Sequence, residues 1–174
     1  MGVMNGATFR FCADLNDFLS PSRQQRPLLT PPYRFILDNH LGKLARTLQL
    51  LGLDTLYMGD AVDDAAIAQL AHDEERILLT RDRGLLKRSS VVYGYCLRTR
   101  DSMGQLTAVA HRRYQLRDQL APWTRCLRCN GRLRPVAKAA ILDKTKRYFD
   151  EFRLCETCGQ IYWQGSHFTR LQEI

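Results

Sequence analysis

Four short apolar runs in this chain each finish at an aspartate: Phe35-Ile36-Leu37 at Asp38, Thr55-Leu56-Tyr57-Met58 at Asp60, Ile77-Leu78-Leu79 at Asp82, and Tyr95-Cys96-Leu97 at Asp101. A short apolar run bounded by turn residues reads as a strand buried on both faces, the pattern of a parallel sheet. In open α/β sheets, ligands bind outside the carboxyl ends of the strands. Aspartates gathered at that edge repel one another unless a cation lies among them, and clustered carboxylate oxygens suit Mg²⁺ or Mn²⁺. The pattern points to a metal-dependent site for phosphate-ester chemistry. Each aspartate also has an ordinary alternative as a strand-end turn residue or helix N-cap.

The stretches between the runs are helical. Leu41, Leu44, Ala45, Leu48 and Leu51 fall on one face of a helix over 40–51, and Gly52 stands where a C′ glycine ends it. Asp63 or Asp64 caps a second helix carrying Ile67, Leu70 and Ala71. A short turn or helix covers 84–87, and Asp101 or Ser102 caps another that continues to about Leu116. With strands at 34–37, 54–58, 76–79 and 90–97, the alternation predicts a three-layer parallel sheet.

Before and after this block the chain changes character. Residues 1–33 hold one alternating segment, Ala7 to Ala13, and a proline-rich tail with Pro27, Pro31 and Pro32. One strand cannot form a domain alone, so this reads as an arm or linker. From Pro122 on, turn residues and cysteines replace the helical periodicity. The expected division is 1–33, 34–120 and 121–174.

The cysteines carry the most specific signal. Cys126-Leu127-Arg128-Cys129 and Cys155-Glu156-Thr157-Cys158 are two C-x-x-C knuckles with 25 residues between them. Each short loop lets two thiolates reach one tetrahedral Zn²⁺, and two loops complete a closed Cys₄ shell, which is structural and not catalytic. Asn130-Gly131 and Gly159 follow the knuckles, where a tight turn needs positive φ. The alternative is a redox dithiol pair. Cys12 and Cys96 lack such partners and read as buried thiols.

Net charge is +8, and it is uneven. Residues 1–111 carry 13 Lys/Arg against 12 Asp/Glu, and residues 112–174 carry 13 against 6. The basic C-terminal third suits a polyanion such as RNA or DNA. Arg125, Arg128, Arg132, Lys146 and Arg147 interleave with aromatics, a pattern suited to phosphate contact and base stacking. Trp163 and His167 are candidate members; Phe152 and Tyr162 are better placed to fill the small core of a ribbon. Nearer the acids, Arg81, Arg83 and Lys87 flank Asp82 and could neutralise substrate phosphates. There is no run of 18 apolar residues and no signal-peptide pattern at Met1 to Arg10, so a cytoplasmic protein without membrane contact is expected. The oligomeric state is left open.

Three blocks resemble the Mut7-C family, a branch of the PIN-like nucleases: Phe35-Ile36-Leu37-Asp38 with His40-Leu41-Gly42 and Leu44-Ala45; Leu51 to Tyr57; and Arg76 to Leu86. The two knuckles and the ending Ile161 to His167 resemble that family's closing zinc ribbon. The resemblance implies a PIN-like α/β/α sandwich with an acidic Mg²⁺/Mn²⁺ site, a zinc ribbon and ribonuclease activity. By position, Asp38 matches the first-strand aspartate and Asp82 the T-x-D aspartate in Thr80-Arg81-Asp82. Asp64 matches the acid at the second helix best, with Asp63 or Asp60 as alternatives, and Asp101 loosely matches a fourth acid. The implied substrate is RNA, with transfer and ribosomal RNA both open. Ala7 to Leu19 resembles the opening of a ubiquitin-like domain that often precedes this unit in bacterial relatives; the rest of that domain is missing. Two other readings compete: a non-catalytic RNA- or ribosome-binding protein working through the ribbon, and, more weakly, a toxin of a toxin–antitoxin pair.

Overall fold

Apolar residues that alternate along a strand can be buried on both faces only if helices cover both sides of the sheet. The computed structural model, which describes residues 30–59, 62–141 and 148–163, has that arrangement. Strands β1 (Arg34–Leu37), β2 (Asp54–Tyr57), β3 (Ile77–Thr80) and β4 (Gly94–Cys96) form a parallel sheet in the order β2-β1-β3-β4. Helices α1 (Gly42–Leu50), α2 (Asp64–Asp73), α3 (Arg83–Leu86) and α4 (Ser102–Leu106) fall between and after the strands.

The strand residues divide as the pleat requires. Phe35, Leu37, Ile77 and Leu79 pack with Leu41, Leu44, Ala45, Leu48, Leu106 and Val109 on one side. Ile36 and Leu78 pack with Ile67, Ala68, Ala71 and Leu85 on the other. The expected three-layer α/β/α arrangement is therefore present. Burying a Leu, Ile or Phe side chain contributes about 1.5–3 kcal/mol, so these two cores dominate the stability of this part.

Local signals set most element ends. Gly52 adopts φ +83 after α1, as expected of a C′ glycine. A Cβ there would also overlap the carbonyl of Ala121, so the site excludes side chains twice over. Two expectations are corrected in detail. The fourth strand, expected over 90–97, is confined to Gly94–Cys96, because Val91 turns into the second core and its N–H bonds the Arg88 carbonyl. The last helix widens into a π-type turn over Thr107–Arg113 before a 3₁₀ turn at Leu116–Gln119. Cys96 is half-buried at the end of β4. The arm at 1–29, with Cys12 and the strand expected at 7–13, lies outside the described residues.

The basic third forms a separate antiparallel sheet in the order β5-β6-β7: Leu133–Val136, Phe152–Cys155 and Ile161–Trp163. Its buried cluster is Cys126, Leu133 and Cys155, with Trp123, Cys129 and Tyr162 packed against it. Among the described residues, no helix is long and apolar enough to cross a membrane.

Candidate active site and metal centre

The strand order makes β1 and β3 neighbours although β2 lies between them in sequence. Chain direction across the sheet reverses there, and such a switch point opens a crevice at the carboxyl edge. Asp38 leaves β1 at this point, its N–H continuing the ladder to the Leu79 carbonyl at 3.2 Å. Asp38 is buried. Its Oδ1 accepts the His40 N–H at 2.7 Å, and its Oδ2 accepts the Thr80 hydroxyl. The same Thr80 oxygen accepts the Asp82 N–H at 2.9 Å.

Thr80 therefore joins the two acids. It is fully buried at the end of an apolar strand, and it needs a partner for its hydroxyl there. That requirement explains why a threonine stands two residues before Asp82. Sequence reasoning met Thr80 only as the first residue of the T-x-D motif and gave it no role of its own; its hydroxyl links the two acids.

The remaining acids spread along the helix starts. Asp82 caps α3 by accepting the Gly84 N–H at 2.6 Å, Asp63 caps α2 through the Ala66 N–H at 2.8 Å, and Asp101 caps α4 through the Gly104 N–H at 2.6 Å. Asp64 is exposed in the first turn of α2. Asp60 lies outside the described residues. The helix-cap role is thus realised at Asp82, Asp63 and Asp101, and Asp38 likewise caps a 3₁₀ turn over Asn39–Leu41. A carboxylate offers about four lone-pair sites, so capping leaves each of them able to ligate. Among the described residues, no three of these acids lie close enough together to share one ion. Asp38 and Asp82 are brought together through Thr80. Mg²⁺ is usually held by one or two carboxylates together with waters and substrate phosphates, and a pair of this kind fits that pattern.

The cysteines do converge. The sulfurs of Cys126, Cys129, Cys155 and Cys158 all lie within 4.8 Å of one another. The cross-knuckle approaches are 3.6 Å for Cys126–Cys158 and 3.5 Å for Cys129–Cys155. Tetrahedral Zn–S bonds of about 2.3 Å imply sulfurs about 3.8 Å apart, so the quartet fits zinc. Asn130 and Gly159 adopt the expected positive φ. Gly131 has no room for a Cβ between Thr157 and the Cys155 sulfur.

The thiols also have hydrogen bonds suited to a thiolate centre. Burial opposes ionisation of Cys126, but the Tyr162 hydroxyl, 3.1 Å away, and the backbone of Cys129 and Arg128 outweigh it and bring the thiol down to about 6. Burial and the neighbouring sulfurs push Cys129 up to about 12. A dication at the centre of the quartet would supply the counter-charge that adjacent thiolates need. Tyr162 is half-buried with its oxygen also accepting the Leu127 N–H at 3.0 Å, and Phe152 is buried; both serve the ribbon's interior as expected.

The ribbon meets the α/β part at several points: the Ala121 and Trp123 N–H groups donate to the Leu51 and Leu50 carbonyls, and Arg125 and Asn130 reach Asp54. Asn130 Oδ1 accepts the N–H of Thr55 on edge strand β2 at 3.0 Å, and its Nδ2 donates to Asp54 at 2.8 Å. Asp54 also pairs with Arg76 at 2.6 Å and Arg125 at 3.2 Å. Burial raises the Asp54 carboxyl, but Arg76, Asn130 and Arg125 together hold it below its usual value. Arg125, an expected nucleic-acid contact, is thus already matched by Asp54. Arg128 and Arg132 are exposed. Trp163 is exposed and lies 6.1 Å from the Phe149 ring. Lys146, Arg147 and His167 lie outside the described residues. Near the acids, Arg81 is half-buried, Arg83 and Lys87 are exposed, and the His40 side chain is exposed.

Known proteins share sequence with this chain. Over 66 residues, 37% of this chain and 8% of the relative, the sequence is 39% identical to the human protein described as exonuclease mut-7 homolog. The chain thus matches a small part of that relative's length. No solved structure gives a significant match. The family model described as Mut7-C RNAse domain matches residues 33–174, from the start of the parallel sheet through both knuckles, and the chain belongs to the Mut7-C family.

Proposed function

We propose that this chain is a metal-dependent ribonuclease, with a nuclease domain over 34–120 and an RNA-holding zinc ribbon over 121–174. The observation that carries the reading is the Asp38–Thr80–Asp82 linkage at the β1/β3 switch point. Asp38 and Asp82 would hold Mg²⁺ or Mn²⁺ together with waters and substrate phosphate; Asp64 does not lie close enough to share that ion with them. A metal held there would supply a water of lowered pKa and charge stabilisation for the phosphate and its leaving oxygen. Asp38, buried and bonded through both oxygens, fixes the site's orientation. Asp82, more exposed, faces the incoming phosphodiester. Arg81, Arg83 and Lys87 offset the charge of the substrate. Zinc holds the ribbon folded, and Arg128, Arg132 and Trp163 supply phosphate and base contacts.

The test is cleavage of labelled single-stranded and structured RNA with Mg²⁺ or Mn²⁺. Asp38→Asn/Asp82→Asn is expected to lose at least about 100-fold in rate, and Thr80→Val about 10–100-fold, the range seen when residues supporting metal ligands are removed. Wild-type cleavage by the double variant would place the site elsewhere. RNA binding without any cleavage would favour the second reading, an RNA- or ribosome-binding protein on a silent nuclease fold, to which the concentrated charge of residues 112–174 already inclines.

A further inference from the structure

The two edges of the parallel sheet treat their cations differently. At the amino edge, Arg34, Arg76 and Arg125 are paired with Asp54 or Glu74 at 2.6–3.9 Å. At the carboxyl edge, Arg81, Arg98 and Arg100 have no ion pair among the described residues. Guanidiniums without a fixed ion-pair partner, set beside an acidic edge, are available to the phosphates of a substrate.

Strand pairing brings the last two of these arginines to the acidic site. Thr80 and Cys96 are partners in the β3/β4 register, and the Leu97 N–H donates to the Thr80 carbonyl at 2.8 Å. The loop leaving β4 therefore starts beside the residue that links Asp38 to Asp82. Burial then alternates: Leu97 is buried, Arg98 exposed, Thr99 half-buried and Arg100 exposed. Thr99 is held from two directions, its hydroxyl accepting the Asp101 N–H at 3.2 Å and its carbonyl accepting Gln105 Nε2 at 3.0 Å. The loop is thus anchored through Leu97 and Thr99, and the two guanidiniums are presented outward, two residues apart.

We infer that Arg98 and Arg100, with Arg81, form a phosphate-binding rim that takes a single-stranded RNA backbone on the β3–β4 side of the acidic edge. The inference rests on the ribonuclease reading for its direction toward Asp38 and Asp82, but its binding test does not require cleavage. Arginine is suited to this task because its planar fork meets phosphate oxygens in pairs. Consecutive phosphates of one strand approach the two guanidiniums, and Arg81 receives the phosphate nearer Asp82.

The experiment is fluorescence anisotropy of a labelled single-stranded RNA against the full chain, over a series of KCl concentrations, without added divalent metal. Two lost phosphate contacts reduce the slope of log affinity against log salt by about 1.4, at about 0.7 per contact. Arg98→Gln/Arg100→Gln is expected to show that reduction at an unchanged unfolding midpoint, and Arg98→Lys/Arg100→Lys to retain most of the slope. In cleavage, the glutamine variant is expected to raise KM with kcat nearly unchanged. An unchanged slope in the glutamine variant, or an equal loss in the lysine variant, overturns the rim. If neither chain cleaves but the slope still falls, the rim stands and the nuclease reading falls. If the wild type cleaves and the glutamine variant matches it in slope and KM, the reverse holds.

Discussion

The two sheets of this chain are held together by different forces. The parallel sheet lies between two apolar clusters that draw on all four of its neighbouring helices. The antiparallel sheet has a buried cluster of Cys126, Leu133 and Cys155, so two of its three members are candidate metal ligands. A sheet covered on both faces by Leu, Ile and Phe is stabilised by burial alone. A ribbon of this size lacks that resource, and small modules of this kind commonly use a metal to close their loops; its four thiols are placed for one. The contrast also separates their chemistry: hard carboxylate oxygens line the edge of the first sheet, and soft thiols hold the second.

The largest effect that would break this comparison is zinc removal. Binding free energies of about 10–16 kcal/mol are typical of structural zinc in small modules, so a chelator or Cys155→Ser is expected to unfold the ribbon. Both tryptophans of the chain, Trp123 and Trp163, lie in that part. Tryptophan emission should therefore shift while the far-ultraviolet helical signal persists. A simultaneous loss of both signals would mean that the sandwich depends on the ribbon for its own stability. Zinc content of one ion per chain, lost in the variant, is the accompanying measurement.

Truncation of the parallel core probes the opposite side. Leu78 is fully buried in the second cluster, and Leu→Ala at such positions costs about 2–5 kcal/mol. Leu78→Ala should lower the unfolding free energy read from the helical signal in urea by that amount and leave zinc content unchanged. Zinc loss in this variant would show that the two parts unfold as one.

The smallest effect lies at the junction between them. Asn130→Ala removes the acceptor of the Thr55 N–H and a donor to Asp54, and an unsatisfied buried group costs about 1–3 kcal/mol. The junction should also weaken in acid. Asp54 is held below its usual pKa in the folded chain, so the unfolded chain binds that proton more readily. The stability it contributes is present above the unfolded value of about 3.9 and is lost as pH falls through the lower folded value. Asp54→Asn should flatten this acid dependence below about pH 4 in urea titrations; an unchanged slope would remove Asp54 from the junction's charge balance.

Much of this architecture was legible in the chain because its causes are local. Apolar runs of strand length, the face of Leu41, Leu44, Ala45 and Leu48, the stop at Gly52 and the caps at Asp63, Asp82 and Asp101 each depend on residues within a turn or two. The fourth strand was overextended in that reading because Val91 and Val92 have strand propensity, whereas burial in the second core turns the chain at Val91. The knuckles were legible for the same local reason, since a C-x-x-C loop carries its ligand geometry within four residues.

The sequence by itself therefore determined the element types, the acids at strand ends, the cysteine quartet and the uneven charge. Tertiary structure alone decided which of these meet. Strand order β2-β1-β3-β4 places Thr80 between Asp38 and Asp82, carries Arg98 and Arg100 to the same edge, and lets Asn130 complete the open ladder of β2. Those contacts join residues distant in sequence, so no local propensity specifies them. They follow from how two apolar faces are best covered by helices, and only the packed sheet sets that choice.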